Sequence, residues 1–221
     1  MGPFLHAAWL HAPADDGPVA AYLAAARSAT DRPSAGYKLV AGGEAIKEIG
    51  PRLARLDPVD DLDVAPTHLV ITDVAGMGDG VALHRALEAD APPPALTTLF
   101  AKVAIYLGKV NGSPDRFAAA IQLGTFNMPS AEGDWDIAEW YEDRRMPAFQ
   151  AMEGSVRSAR ITAVCGGLAR LGVFYEFNSM EERNASFEAI EEIDHDESRP
   201  TAATRTIHPR MSPSIGELMD A

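Results

Sequence analysis

The sequence predicts an α+β fold made of two consecutive β-α-β-β-α-β units, and three observations carry that prediction. Apolar runs that suit strands alternate with stretches of helical spacing, in the same order before and after the midpoint. A turn-rich segment, Asn111-Gly112-Ser113-Pro114-Asp115, separates the two series. Strand segments such as Leu69-Val70-Ile71 and Ala118-Ala119-Ala120-Ile121 are apolar throughout rather than alternating, which implies burial on both faces.

The second series is the clearer one. Residues 117–128 are an apolar, β-compatible run bounded by Pro129. Asp134 or Asp136 caps a helix carrying Ile137, Trp140 and Tyr141, and Pro147, lacking an N–H, kinks or ends it. A strand over 155–164 turns at Gly166-Gly167 into a second at 171–177, rich in Val173, Phe174, Tyr175 and Phe177. A helix over 180–193 repeats Met180, Phe187, Ile190 and Ile193 at helical spacing, and an extended segment near 203–210 closes the series. In the first series, Phe4 to His11, 36–49 (broken at Gly42-Gly43), His68 to Val74 and 97–107 read as strands. Residues 18–29 and 79–90 read as helices, and 12–18, 57–66, 90–95 and 111–116 as loops.

Each series matches a ferredoxin-like unit, with both helices on one face of a four-stranded antiparallel sheet. The bare face of such a sheet needs a partner, and the other unit supplies it. The expected division is residues 1–112 and 113–221. One larger α+β domain with coincidental periodicity is the alternative, since no residue-by-residue identity links the halves.

Composition narrows function by exclusion. Across 221 residues, 32 acidic side chains against 19 Lys and Arg give a formal charge of -13. Nucleic-acid binding needs a basic footprint, and anionic membranes repel such a chain. Cys165 is the single cysteine, so neither an intrachain disulfide nor a Cys-rich zinc site is available. No apolar run spans a bilayer, and the N-terminus lacks the basic and apolar regions of a signal peptide, so a soluble cytoplasmic protein is expected.

The segment from Asp136 to Ile161 resembles the first helix and second strand of EthD-like proteins, in the dimeric α/β-barrel superfamily. Trp140, Tyr141, Glu142, Pro147, Gly154, Arg157 and Arg160 match that pattern, and Leu171 to Phe177 looks like the family's third strand. Relatives often carry a His where this chain has Arg145. The resemblance implies two tandem units joined in a dimeric-α/β-barrel-like arrangement, with a pocket between sheet and helices in each. It also implies mostly cofactor-free chemistry on aromatic or polyketide-like compounds, with haem bound in the same place in some branches.

Candidate catalytic residues are His6, His84 and Tyr175. His6 lies in the opening strand and suits a general base; His84, on the second helix, would pair with it if it looks down at the sheet, against the plainer reading of a solvent-exposed side chain. The plainer reading of His6 is a buried imidazole bonded to backbone. Tyr175 offers a phenol to a developing enolate or phenolate, as does Asn127 through its amide. Trp9, Tyr37, His68, Trp140, Tyr141 and Phe174 are candidate pocket-lining residues, against the ordinary reading of aromatics as core. One of Arg144 and Arg145 should face the sheet and hold an anionic group. In Gly76-Met77-Gly78-Asp79-Gly80 the glycines form a turn and Asp79 caps a helix, without the Lys of a phosphate loop.

The leading expectation is therefore a cofactor-independent lyase, cyclase, decarboxylase or isomerase acting on an aromatic or polyketide-like molecule, with no metal and no cofactor. One alternative is a non-catalytic small-molecule-binding or accessory protein, favoured by Arg145. The other is a haem-binding oxidoreductase or dehydratase with a histidine on the iron. A homodimer is compatible with either.

Overall fold

The computed structural model describes residues 3–40, 64–89, 95–111, 116–128, 130–167, 169–186 and 212–220. In chain order they form β1 (Phe4–His11), α1 (Gly17–Ala29), β2 (Ser34–Leu39), β3 (His68–Val74), α2 (Met77–Ala89), β4 (Thr97–Asn111) and β5 (Ala120–Phe126). There follow α3 (Ala131–Trp140), a π-helical turn (Tyr141–Arg145), α4 (Met146–Gln150), β6 (Ser155–Gly166), β7 (Leu171–Phe177) and β8 (Ser214–Leu218). Residues 180–186 are also helical.

The eight strands close into one antiparallel barrel in the order β1-β3-β2-β8-β5-β7-β6-β4. Within it the first four strands run β4-β1-β3-β2 and the last four β8-β5-β7-β6, the same permutation. The two sets meet along both edges, β2 on β8 and β4 on β6, so every strand has two neighbours and no edge is left open.

Alternation along each strand then builds three layers. Leu5, Trp9, Tyr37, Leu69, Ile121 and Phe174 fill the barrel interior. Leu10, Leu23, Val70 and Leu83 pack α1 and α2 on the outside of one half. Ile137, Trp140, Phe149, Val173 and Tyr175 do the same for α3 and α4 on the other. Residues facing either way are buried, which is why the strands read as continuous apolar runs. Two glycines are required by shape: Gly166, at φ +68, turns the β6–β7 hairpin, and a Cβ at Gly80 would lie 2.7 Å from Val103, where α2 crosses β4.

Several boundaries differ from expectation. The cap of α3 is Ser130, whose side chain accepts from Gly133 N–H at 3.1 Å, and not Asp134 or Asp136. A hydroxyl one turn earlier takes the orphan N–H, and the helix starts earlier with it. Pro147 does not end the helix. It sits in the first turn of α4, and the preceding residues widen into the π turn, where Met146 N–H donates to the Tyr141 carbonyl. The strand expected at 36–49 spans Ser34–Leu39, with 41–49 lying outside the described residues, as do the second half of the helix at 180–193 and the whole 203–210 segment. The final described strand is Ser214–Leu218. Among the described residues no helix is long and apolar enough to cross a membrane.

Candidate functional site

Strand β1 turns Leu5, Ala7 and Trp9 into the barrel and His6 outward, beneath α2. His6 is 1% exposed, and its ring lies 5.6 Å from that of His84, which α2 carries over the opening strand. Neither ring nitrogen of His6 has a hydrogen-bond partner among the described residues, which corrects the reading of a backbone-bonded imidazole. Such a buried, unmade hydrogen bond costs about 1–3 kcal/mol. Burial, and then the neighbouring His84, lowers the His6 pKa to about 4, so the ring is neutral at physiological pH. His84 is one-third exposed, with Nε2 3.4 Å from Glu88 Oε1. His68 occupies the same sheet face but is engaged elsewhere: Nδ1 with Thr67 Oγ1 at 2.8 Å, Nε2 with Asp16 Oδ1 at 3.2 Å.

Trp9, Tyr37 and Phe174 point into the barrel and so do not join His6. Trp9 donates to Ser214 Oγ at 2.8 Å and Tyr37 to the Ala118 carbonyl at 2.9 Å. Phe174 forms one wall of a charged cluster that the sequence did not reveal. The Arg157 guanidinium lies 4.8 Å from the Phe117 ring and 5.1 Å from that of Phe174, and it pairs with Glu176. Glu176 also accepts from Ala118 N–H, and Tyr106 donates to Asp73 at 3.0 Å. Burial pushes both carboxyls, Asp73 and Glu176, above their ordinary range, against the pull of Arg157. The cluster is enclosed, with Asp73, Arg157 and Glu176 all at most 2% exposed, which marks it as internal architecture.

The outer layer of the other half holds the remaining candidates. Tyr175 is fully buried against Phe149 and accepts a hydrogen bond from Arg145 Nε at 3.1 Å. Arg145 is buried, near Trp140, whereas Arg144 is exposed, so one arginine of the pair does face the sheet. Its guanidinium meets a phenol rather than an open anion site. Asn127 accepts from Arg170 N–H at 2.8 Å and so holds a turn. His6 and Tyr175 therefore lie in different layers and form no joint constellation.

Between α3 and the outer face of the β5–β7–β6 sheet lies a cavity of about 370 Å³. Phe126, Ile137, Tyr141, Leu171 and Val173 line it, with Trp135, 79% exposed, also in its lining. Its walls are mostly apolar and its volume suits a small-molecule site. Tyr141 projects from the π turn and stacks on Phe126 with ring centroids 6.2 Å apart. Two lining arginines are tied down, Arg160 to the Ala138 carbonyl at 2.7 Å and to Glu142, and Arg170 to Asp134. Two larger depressions, of about 520 and 820 Å³, are more polar and border Asp31 and Arg32. No histidine lines any of the three.

No family model matches the chain, and no curated protein does. Solved structures do match in fold. A dye-decolorizing peroxidase from Bacteroides thetaiotaomicron is similar at TM-score 0.59 and 8% identity, over 99% of this chain and 93% of that one. A variant chlorite dismutase from Candidatus Nitrospira defluvii matches at 0.57 and 12%, over 98% and 91%. A haem-binding protein from Thermus thermophilus matches at 0.57 and 10%, over 99% and 92%. At such identities the likeness is one of fold: an α+β, dimeric α/β-barrel architecture of the ferredoxin-like type. These neighbours overturn the leading expectation of a cofactor-independent lyase, cyclase, decarboxylase or isomerase, and agree better with the haem-binding alternative.

The cavity is a split match for haem. Among the described residues it offers apolar walls, two guanidinium groups and one phenol, Tyr141, but no imidazole, thiolate or thioether for the iron. Among the described residues no group of three or more His, Cys, Asp or Glu is placed to hold a metal ion. The lining suits a flat ring system, and among the described residues its one side chain of a type that ligates haem iron is the Tyr141 phenol.

Proposed function

We propose that this chain binds a planar, conjugated small molecule with an anionic edge, on the scaffold shared with haem-dependent oxidoreductases. The single observation that carries this reading is the lining of the α3 cavity, a slot with Phe126 and Tyr141 stacked at its side and Arg160 and Arg170 among its polar groups. A porphyrin and a smaller aromatic carboxylate share this chemistry. The peroxidase and chlorite dismutase among the neighbours support an oxidoreductase reading, and among the described residues no imidazole lines the cavity.

The repeated strand order supports reading residues 1–112 and 113–221 as tandem ferredoxin-like units. The EthD-like pattern supports placing the ligand in the second, because its Trp140-Tyr141 pair sits at the junction of α3 and the π turn, where Tyr141 lines the slot. Ala138→Phe, which puts a ring into the cavity from α3, tests the reading. Binding of protoporphyrin IX, followed by quenching of tryptophan fluorescence, should weaken at least about tenfold while circular dichroism stays unchanged, a loss of about 1.4 kcal/mol. Unchanged affinity in the folded variant would place the ligand elsewhere.

A further inference from the structure

The layer between α2 and the sheet of the first half holds buried polar atoms that find no hydrogen-bond partner among the described residues: His6 Nδ1 and Nε2, Thr72 Oγ1, Ser34 Oγ and His84 Nδ1. They are contiguous. His6 stands opposite Thr72 across the β1–β3 ladder and Ser34 opposite Thr72 across β2–β3, so the three share one face of the sheet. His84 comes down on that face from α2. A fold that simply needed an apolar layer here would have no use for two imidazoles and two hydroxyls side by side.

The chemistry of the two rings is specific. Glu88 lies one helical turn beyond His84 and 3.4 Å from its Nε2, the arrangement in which a carboxylate takes the N–H of one nitrogen and leaves the other with a lone pair. The nitrogen left over, Nδ1, is the buried one. His6, held neutral by burial, brings a second lone pair on a ring centred 5.6 Å away. We propose that His6 and His84 form a two-imidazole site for a late first-row transition-metal ion of the zinc, copper or nickel type, with Thr72 Oγ1 beside it and Glu88 orienting His84. Imidazole nitrogen selects these ions over magnesium and calcium, which take oxygen ligands. Two protein nitrogens leave further coordination positions to water or a small anion, so the site is an open one, weaker than a closed four-ligand structural zinc site. Partial exposure of His84 gives the ion its way in. The site is separate from the α3 cavity and does not depend on what that cavity binds.

The test is equilibrium dialysis of the metal-free full chain against Zn(II), with Co(II) as a spectroscopic probe. The wild type should take up one ion and gain in Tm. His84→Gln and His6→Leu should each lose at least about tenfold in affinity. His6→Leu should also remove both the cobalt d–d bands and the zinc-dependent rise in Tm. Because His6→Leu deletes two unsatisfied nitrogens from the core, its metal-free form should melt at or above the wild type, which separates loss of the site from loss of the fold. Two results overturn the proposal. One is zinc uptake unaltered in His6→Leu, which would put the ion on other histidines. The other is no uptake by the wild type beyond that of the His6→Leu, His84→Gln double variant.

Discussion

Burial keeps the His6 imidazole neutral far into the acid range, with its pKa lowered from 6.5 to about 4. In the unfolded chain that ring protonates near 6.5, so below that pH the unfolded state takes up a proton that the folded state refuses. Stability is therefore present above 6.5 and is lost as pH falls toward 4, by at most about 1.4 kcal/mol per pH unit from this residue. His6→Leu should show a shallower fall in urea-melt stability between pH 6.5 and 4; equal slopes would contradict the burial of a neutral ring. Glu176 gives a second prediction. Replacing it with Gln removes one of the two carboxylates that interact with Arg157, buried between two phenyl rings, and should cost up to about 3–5 kcal/mol, the range for breaking a buried pair. Denaturant melts at pH 7 check it. The two sites differed in legibility. His6 and His84 meet because a helix crosses the opening strand; the order of elements implies that crossing but leaves open which way His84 faces. Arg157 meets Glu176 only through the β6–β7 register, with a bulge between Ser155 and Arg157, and spacing along the chain carries no trace of that.

Local chemistry set most elements where the sequence put them, and the exceptions have identifiable causes. The β6–β7 hairpin was legible from Gly166-Gly167, both of which take positive φ. The start of α3 was misplaced because two acids further along resemble caps as well as Ser130 does. Ser130→Ala should lower stability by about 1 kcal/mol, whereas Asp136→Ala should change it little; thermal melts compare the two. Strand β8 was not legible. Ser214–Leu218 is short and carries a glycine, and it becomes a strand by pairing with β5 on one side and β2 on the other. The π turn escaped notice for a related reason. Helical spacing read through Tyr141–Arg145 is nearly continuous, and only the packing of Arg145 onto Tyr175 shows which way the widened turn is rotated.

At the scale of the molecule, a closed barrel with helices outside gives two separate sheet–helix layers, and the candidate chemistry divides between them. Among the described residues, the first layer has imidazoles and none of the three cavities is lined by them; the second has an apolar cavity and no imidazole. The burial of both strand faces was legible from continuous apolar runs. The contents of each layer were not, because which side of a strand faces out follows from closure of the barrel and not from any one strand. The division also says what the α3 cavity should prefer, a flat ring irrespective of the metal at its centre. The most direct measurement is a side-by-side titration of the protein with haemin and with iron-free protoporphyrin IX, reading tryptophan quenching and the Soret band. Binding of both in 1:1 ratio, with affinities within about tenfold of each other, is the predicted result. Much tighter binding of haemin, with a Soret band shifted as for histidine-ligated iron, would contradict it, and so would failure of either to bind.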